Sequence, residues 1–174
     1  MRQSAMIRRL TVAAMFMALN IILSLSILSI PVPGGHLYLN DIIICTAALL
    51  LDPFSAFAVG GVGSFIGDML FYPAPMFVSL ATHGLQAVAI SLCSRHLFKK
   101  HPLAGAIVGV LLGAVIMVTG YTLGRAYVYA TPEYAIVKLP YEILQAALGV
   151  IAGPILCFGC DLRGKLSRIL MQEN

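Results

Sequence analysis

The chain has 174 residues, 60% of them hydrophobic and only 10% charged, with a mean hydropathy of +0.94. Soluble domains run at about 45–50% apolar and about 25% charged, so 11 basic and 7 acidic residues are too few to cover a water-facing surface. The composition is that of an integral membrane protein with room for about six spans of ~20 residues, and it excludes six spans plus a soluble catalytic or ATP-hydrolysing domain.

The formal charge of +4 and pI near 9.0 do not indicate nucleic acid, because the basic residues fall at span ends rather than along one helix face. In chain order, a basic start (Arg2, Arg8, Arg9) precedes a first span from about Leu10 to Ile30. Its apolar stretch is too long for a signal-peptide core, and no A-x-A site follows. Pro31-Val-Pro-Gly-Gly35 ends it, since proline and paired glycines do not continue a helix. A short second run, Ile42 to Leu51, is too short to cross alone unless the preceding loop dips into the membrane or the helix begins within it. Asp52-Pro53 makes a turn that caps a third span, about Phe54 to Leu70, and Phe71-Tyr-Pro-Ala-Pro75 breaks the chain again. The fourth span covers Met76 to Ser94 and the fifth Leu103 to Leu123. A polar connection, Gly124 to Lys138, leads to a sixth from Leu139 to Phe158 and a basic tail.

This predicts an all-α membrane protein, a compact six-transmembrane-helix bundle forming a single domain over residues 1–174. Nine Lys and Arg residues (Arg2, Arg8, Arg9, Arg95, Lys99, Lys100, Arg163, Lys165, Arg168) lie on the side of the termini. Only Arg125 and Lys138 lie opposite, so the positive-inside rule makes both termini cytoplasmic. All seven tyrosines map to the outer side. They form either an interfacial aromatic belt or the walls of an outward-facing pocket suited to a flat heterocyclic ligand.

Polar groups inside apolar spans are costly and turn toward the bundle interior. Asp68, His83, Gln86, Glu142 and Gln145 are such groups, with Tyr141 one turn above Gln145, and they gather at the outer end. His83 and Gln86 share a helix face, as do Tyr141, Glu142 and Gln145. Arg125 and Lys138 are candidates to pair with Asp68, Asp41 or Glu142. The set is either a group of helix-bridging pairs or a ligand site. Hydrolase and zinc-protease motifs are missing from the sequence, which argues against an enzyme and against a resident metal. Cys157-Phe-Gly-Cys160 has metal or redox spacing but no second pair, and reads as packing. Gly60/Ser64 and Gly63/Gly67 are small-xxx-small pairs that let helices approach closely, as is Ala14-Met-Phe-Met-Ala18.

The ordered combination of Arg9-Leu-Thr-Val-Ala-Ala14-Met-Phe-Met-Ala18, Pro33-Gly-Gly-His-Leu-Tyr-Leu-Asn-Asp41, Val59-Gly-Gly-Val-Gly-Ser-Phe-Ile-Gly-Asp68, the Tyr72-Pro turn and His83-Gly-Leu-Gln86 resembles the substrate-binding S components of energy-coupling factor (ECF) vitamin transporters. It is most similar to the branch of proposed hydroxymethylpyrimidine and pyridoxine carriers. The resemblance implies a binding subunit of the bacterial cell membrane, not an enzyme, that captures a vitamin outside. It then docks on a membrane scaffold (T) subunit coupled to two ATPases, and needs no cofactor of its own. It implies Ala14 and Ala18 as the docking stripe and the Pro31 to Asn40 loop as a lid. The pocket it implies comprises His36, Tyr38, Asn40, Asp68, His83, Gln86, Tyr121, Arg125, Tyr141, Glu142 and Gln145. Competing readings are a stand-alone proton-coupled carrier using Asp68, His83 and Glu142, and a non-transport membrane scaffold.

Overall fold

The computed structural model describes residues 2–25, 29–97 and 100–171, with side chains described over 6–25, 29–97 and 100–168. Residues 26–28 of the expected first span and Lys99 of the basic set lie outside the described residues. Helix α1 (Arg2–Leu23) leads to a two-stranded antiparallel hairpin, β1 (Ile30–Val32) and β2 (Gly35–Leu37), in register Ile30 to Leu37 and Val32 to Gly35. Most of the expected Pro31 to Asn40 loop is therefore an ordered ribbon. Pro33 presets the first central position of its turn, and Gly34 takes the second with φ +81°, a conformation open to glycine.

Helix α2 (Asn40–Leu50) has 11 residues, about 16 Å at 1.5 Å per residue against a hydrocarbon core of ~30 Å. The chain leaves it through Asp52, whose carboxylate accepts from Ser55 N–H at 3.1 Å and Ser55 Oγ–H at 2.8 Å, with Pro53 in the first turn. That N-cap and proline start the third span as the sequence indicated. The span is α3 (Pro53–Phe57), a π-turn (Ala58–Val62) and α4 (Gly63–Phe71) run together. Asn20 of α1 donates to Val59 O at 2.7 Å inside this wide turn. Among the described residues, five helical segments are long and apolar enough to cross a membrane, with α2 as a shorter sixth.

Helix α5 (Met76–His96) sits centrally, packed against α2, α3, α4 and α6 (Pro102–Gly124). The core beside it is built from Ile44, Cys45, Ala48, Ile90, Val110 and Cys157. Cys157 reaches Thr46 O at 3.7 Å and Cys160 is exposed. The small residues of this span face two different partners. A Cβ on Gly60 would lie 2.7 Å from His83 O of α5, and one on Gly67 would lie 2.6 Å from Ser24 Cβ beyond α1. Gly60→Ala is expected to cost about 1–3 kcal/mol through overpacking against backbone. Gly159→Ala, whose nearest neighbour would be 3.6 Å away, is expected to be nearly neutral. Thermal denaturation in detergent checks both.

The connection expected over Gly124 to Lys138 is instead helical. A second π-turn (Arg125–Tyr129) extends α6, and α7 begins at Pro132 and runs to Pro154, not from Leu139. Thr131 caps it, with its side chain accepting from Tyr134 N–H and Pro132 in the first turn. This cap and proline outweigh the polar composition on which the loop was expected. Pro102–Tyr129 and Pro132–Gly159 each span 28 residues, about 42 Å of helix, so both outreach a ~30 Å hydrocarbon core. A third π-turn (Ile155–Gly159) ends the last span, and α8 (Leu162–Met171) packs back against α1.

Candidate functional site

The hairpin, the end of α4 and the extended ends of α6 and α7 enclose a cavity of about 620 Å³. Its floor is a hydrogen-bonded polar cluster. Asp41, at the start of α2 and 1% exposed, accepts from Gln86 Nε2 at 2.8 Å and from Gln145 Nε2 at 2.6 Å. Gln86 Oε1 in turn meets His83 Nδ1 at 2.7 Å, and Gln145 Oε1 accepts from Tyr38 N–H at 3.0 Å. A single carboxylate thus ties α5, α7 and the end of the hairpin together. The His83 ring stands edge-on to Tyr121 with centroids 5.2 Å apart. Tyr121 Oη lies 2.5 Å from Ser79 Oγ, which donates to Asp68 Oδ2.

The second polar wall is on α6 and α7. Arg125 is turned inward by the π-turn and donates from Nη1 to Glu142 Oε1, both groups buried, with its guanidinium 5.5 Å from the Tyr129 ring. Lys138 Nζ donates to His36 O, and a Cβ on Gly34 would lie 3.0 Å from Lys138 Cβ, so the hairpin turn seats closely on α7. In the connection ahead of α2, burial, then the nearby Asp68 and Tyr72, push the Tyr38 phenol up to about 12, so it is a neutral hydrogen-bonding group at all working pH.

Of the residues singled out by sequence, His36, Tyr38, Asn40, Asp68 and His83 line this cavity, as do Tyr121, Arg125, Glu142 and Gln145. Gln86 and Tyr141 do not. The Gln86 amide is consumed by Asp41 and His83 beneath the surface. Tyr141 shares the helix face of Lys138 and Gln145 by spacing but is not part of the lining, and its ring lies 6.0 Å from Lys138 Nζ. Arg125 pairs with Glu142, while Asp68 and Asp41 are held by neutral donors. Ala14 and Ala18 are both exposed on the outer face of α1.

The structure adds Tyr72, Tyr129, Tyr134 and Lys138 to the lining, together with Phe71 and Met117. The one-sided tyrosine distribution was the signal for the first three; Met117 sits in a uniformly apolar run that gives none. Among the described residues, three buried side-chain atoms around the cavity have no protein hydrogen-bond partner: Asn40 Oδ1, Tyr129 Oη and Glu142 Oε2. Buried polar atoms are nearly always satisfied, and two of these three accept only. The arrangement can therefore hold a flat molecule between aromatic rings while taking hydrogen bonds from its O–H and N–H groups.

A sequence model of the family described as "ECF-type riboflavin transporter, S component" matches residues 4–160. The chain is also 33% identical over 126 residues to a Pyrococcus woesei protein described as "Uncharacterized protein in gap 3'region", covering 71% of this chain and 82% of that one.

Proposed function

The chain belongs to the family of ECF-type riboflavin transporter S components, and on that footing we propose that its cavity captures a flat, hydroxylated nitrogen heterocycle of the B-vitamin kind. As an S component it is a transport subunit rather than an enzyme, a multi-pass part of an ECF transporter in the cell membrane. It binds substrate without a cofactor and works with T and ATPase subunits, which hydrolyse ATP. The family match is to the riboflavin type and does not single out the hydroxymethylpyrimidine and pyridoxine branch suggested by sequence.

The observation that carries the proposal is the trio Asn40 Oδ1, Tyr129 Oη and Glu142 Oε2, buried around one cavity with no protein partner. Two carboxyl or amide oxygens and a phenol call for a ligand rich in donors, and the tyrosine walls call for a planar ring. The cations are already engaged, Arg125 by Glu142 and Lys138 by His36 O, which disfavours a polyanion such as a folate. A single ring with hydroxymethyl arms, pyridoxine or hydroxymethylpyrimidine, satisfies this chemistry. A flavin is the second reading, favoured by the family description and by a volume of about 620 Å³ within the roughly 300–1,000 Å³ of drug-sized sites. In this proposal the cavity opens outward with both termini cytoplasmic, and the exposed Ala14 and Ala18 face the T subunit, which couples to two ATPases.

Mass spectrometry of small molecules carried through purification, followed by calorimetric titration with pyridoxine, hydroxymethylpyrimidine and riboflavin, tests the reading. One of the three is expected to bind tightly, and Tyr129→Phe is expected to weaken it about 2–10-fold with no change in melting, because the hydroxyl has no protein bond to lose. No binding across the panel, or a Tyr129→Phe chain that binds as tightly as the native one, would overturn it. Uptake by the chain alone into ATP-free proteoliposomes would instead support the proton-coupled carrier.

A further inference from the structure

Away from the large cavity, where α2 and α5 finish, a cleft of about 170 Å³ opens between Leu49, Leu50, Ser94, Arg95, Arg163 and Leu166. Its arginines come from separate elements. Arg95, in the last turn of α5, donates to Leu51 O at 3.2 Å and Leu50 O at 3.0 Å, so its guanidinium is pinned across the end of α2. Arg163, at the start of α8, stacks over Phe158 at 5.6 Å. Arg163 and Arg9 of α1 both lie near enough to act electrostatically on Arg95.

Among the described residues, negative charge around this cluster is scarce. Asp52 is in electrostatic range of Arg95, but its two oxygens already accept from Ser55. Asp161 faces Arg168 at 3.9 Å. The ion pairs among the described residues leave Arg95 and Arg163 without a carboxylate in contact. Two arginines thus line a space whose other walls are Leu49, Leu50 and Leu166 with Ser94 and Ser167, and Arg9 lies near enough to add to its positive field. Helix α8 follows the last span directly, with Leu166 turned inward and Arg163, Lys165 and Arg168 exposed, the pattern of a helix lying in a membrane interface.

We propose that this cleft holds the phosphate of an anionic phospholipid, with Arg95 and Arg163 as its two arms and Leu49, Leu50 and Leu166 as the wall for an acyl chain. Arg163 suits the role because its planar fork of donors matches a phosphate, Arg95 adds the charge of a guanidinium held in place through Nε and Nη2, and a bound anion offsets the repulsion among the three cations. The leucine wall and the position between span ends and an interfacial helix select a lipid over a free anion.

Native mass spectrometry of the full chain in detergent, titrated with phosphatidylglycerol, phosphatidylcholine and inorganic phosphate, tests the site. One phosphatidylglycerol is expected to bind in preference to phosphatidylcholine. Arg163→Gln is expected to weaken it about tenfold, the loss of one charge-assisted contact, with melting unchanged. Lys165→Gln removes the same charge from the same helix outside the cleft and is expected to leave binding as it was. Equal affinity for the two lipids, or equal losses in the two variants, would overturn the site. Displacement of phosphatidylglycerol by an equal concentration of inorganic phosphate would overturn the lipid and assign the cleft to a free anion.

Discussion

Glu142→Leu alone is expected to lower the stability of the folded chain by about 3–5 kcal/mol, and Arg125→Met together with Glu142→Leu to recover most of that loss. The two side chains form a buried ion pair between α6 and α7, at 9% and 3% side-chain exposure. Removing one partner leaves the other charge without compensation in a low-dielectric setting, whereas replacing both with apolar groups of similar volume removes the desolvation cost as well. Denaturation in detergent gives the stability of each variant, and calorimetric titration gives its ligand affinity. The double variant separates two roles. A pair that only bridges helices predicts a stable double variant that binds ligand normally. The proposed role of Glu142 Oε2 as a ligand acceptor predicts a stable double variant that binds at least tenfold more weakly. Normal binding by that protein would remove Glu142 from the site.

Asp41→Leu is the second large expected effect. Asp41 accepts from Gln86 and Gln145, and its loss leaves two buried amides without their acceptor. Hydrogen bonds to charged groups contribute about 1.5–3 kcal/mol each, so the sum is about 3–6 kcal/mol. Affinity falls along with stability, since Gln145 holds the Tyr38 backbone and Gln86 fixes the His83 ring. Asp41→Asn, which keeps one acceptor oxygen, is expected to fall between the native chain and Asp41→Leu in both measurements. A leucine variant that melts within a degree or two of the native chain would show that the cluster contributes nothing to the fold.

The contrast between Asp41 and Glu142 shows what composition and spacing reveal. Glu142 is an isolated carboxylate in an apolar run, so its inward direction follows from desolvation alone. Asp41 lies in a polar connection in the sequence, and a loop carboxylate carries no expectation of burial. It is buried because the hairpin folds over it, and the hairpin depends on contacts from Lys138 and Gln145, more than a hundred residues away. The span pattern was legible for the same reason as Glu142, because a bilayer requires long apolar segments. The extended ends of α6 and α7 were not. Over Gly124 to Lys138 the residues are polar enough for a loop, and only the Thr131-Pro132 cap marks where the next helix begins. The exclusion of Tyr141 from the cavity also needed geometry. Tyr141 lies three residues after Lys138 and four before Gln145, so helical spacing alone places it on the face of two residues that do line the cavity.

Both anchors of the hairpin belong to one helix. Lys138 holds the carbonyl of His36, Gln145 holds the N–H of Tyr38, and both side chains come from α7. The cover is therefore a passenger of that helix rather than a flap with its own hinge. A displacement of α7 therefore carries the hairpin with it, and a hairpin that swung out alone would first have to break the Lys138 and Gln145 hydrogen bonds.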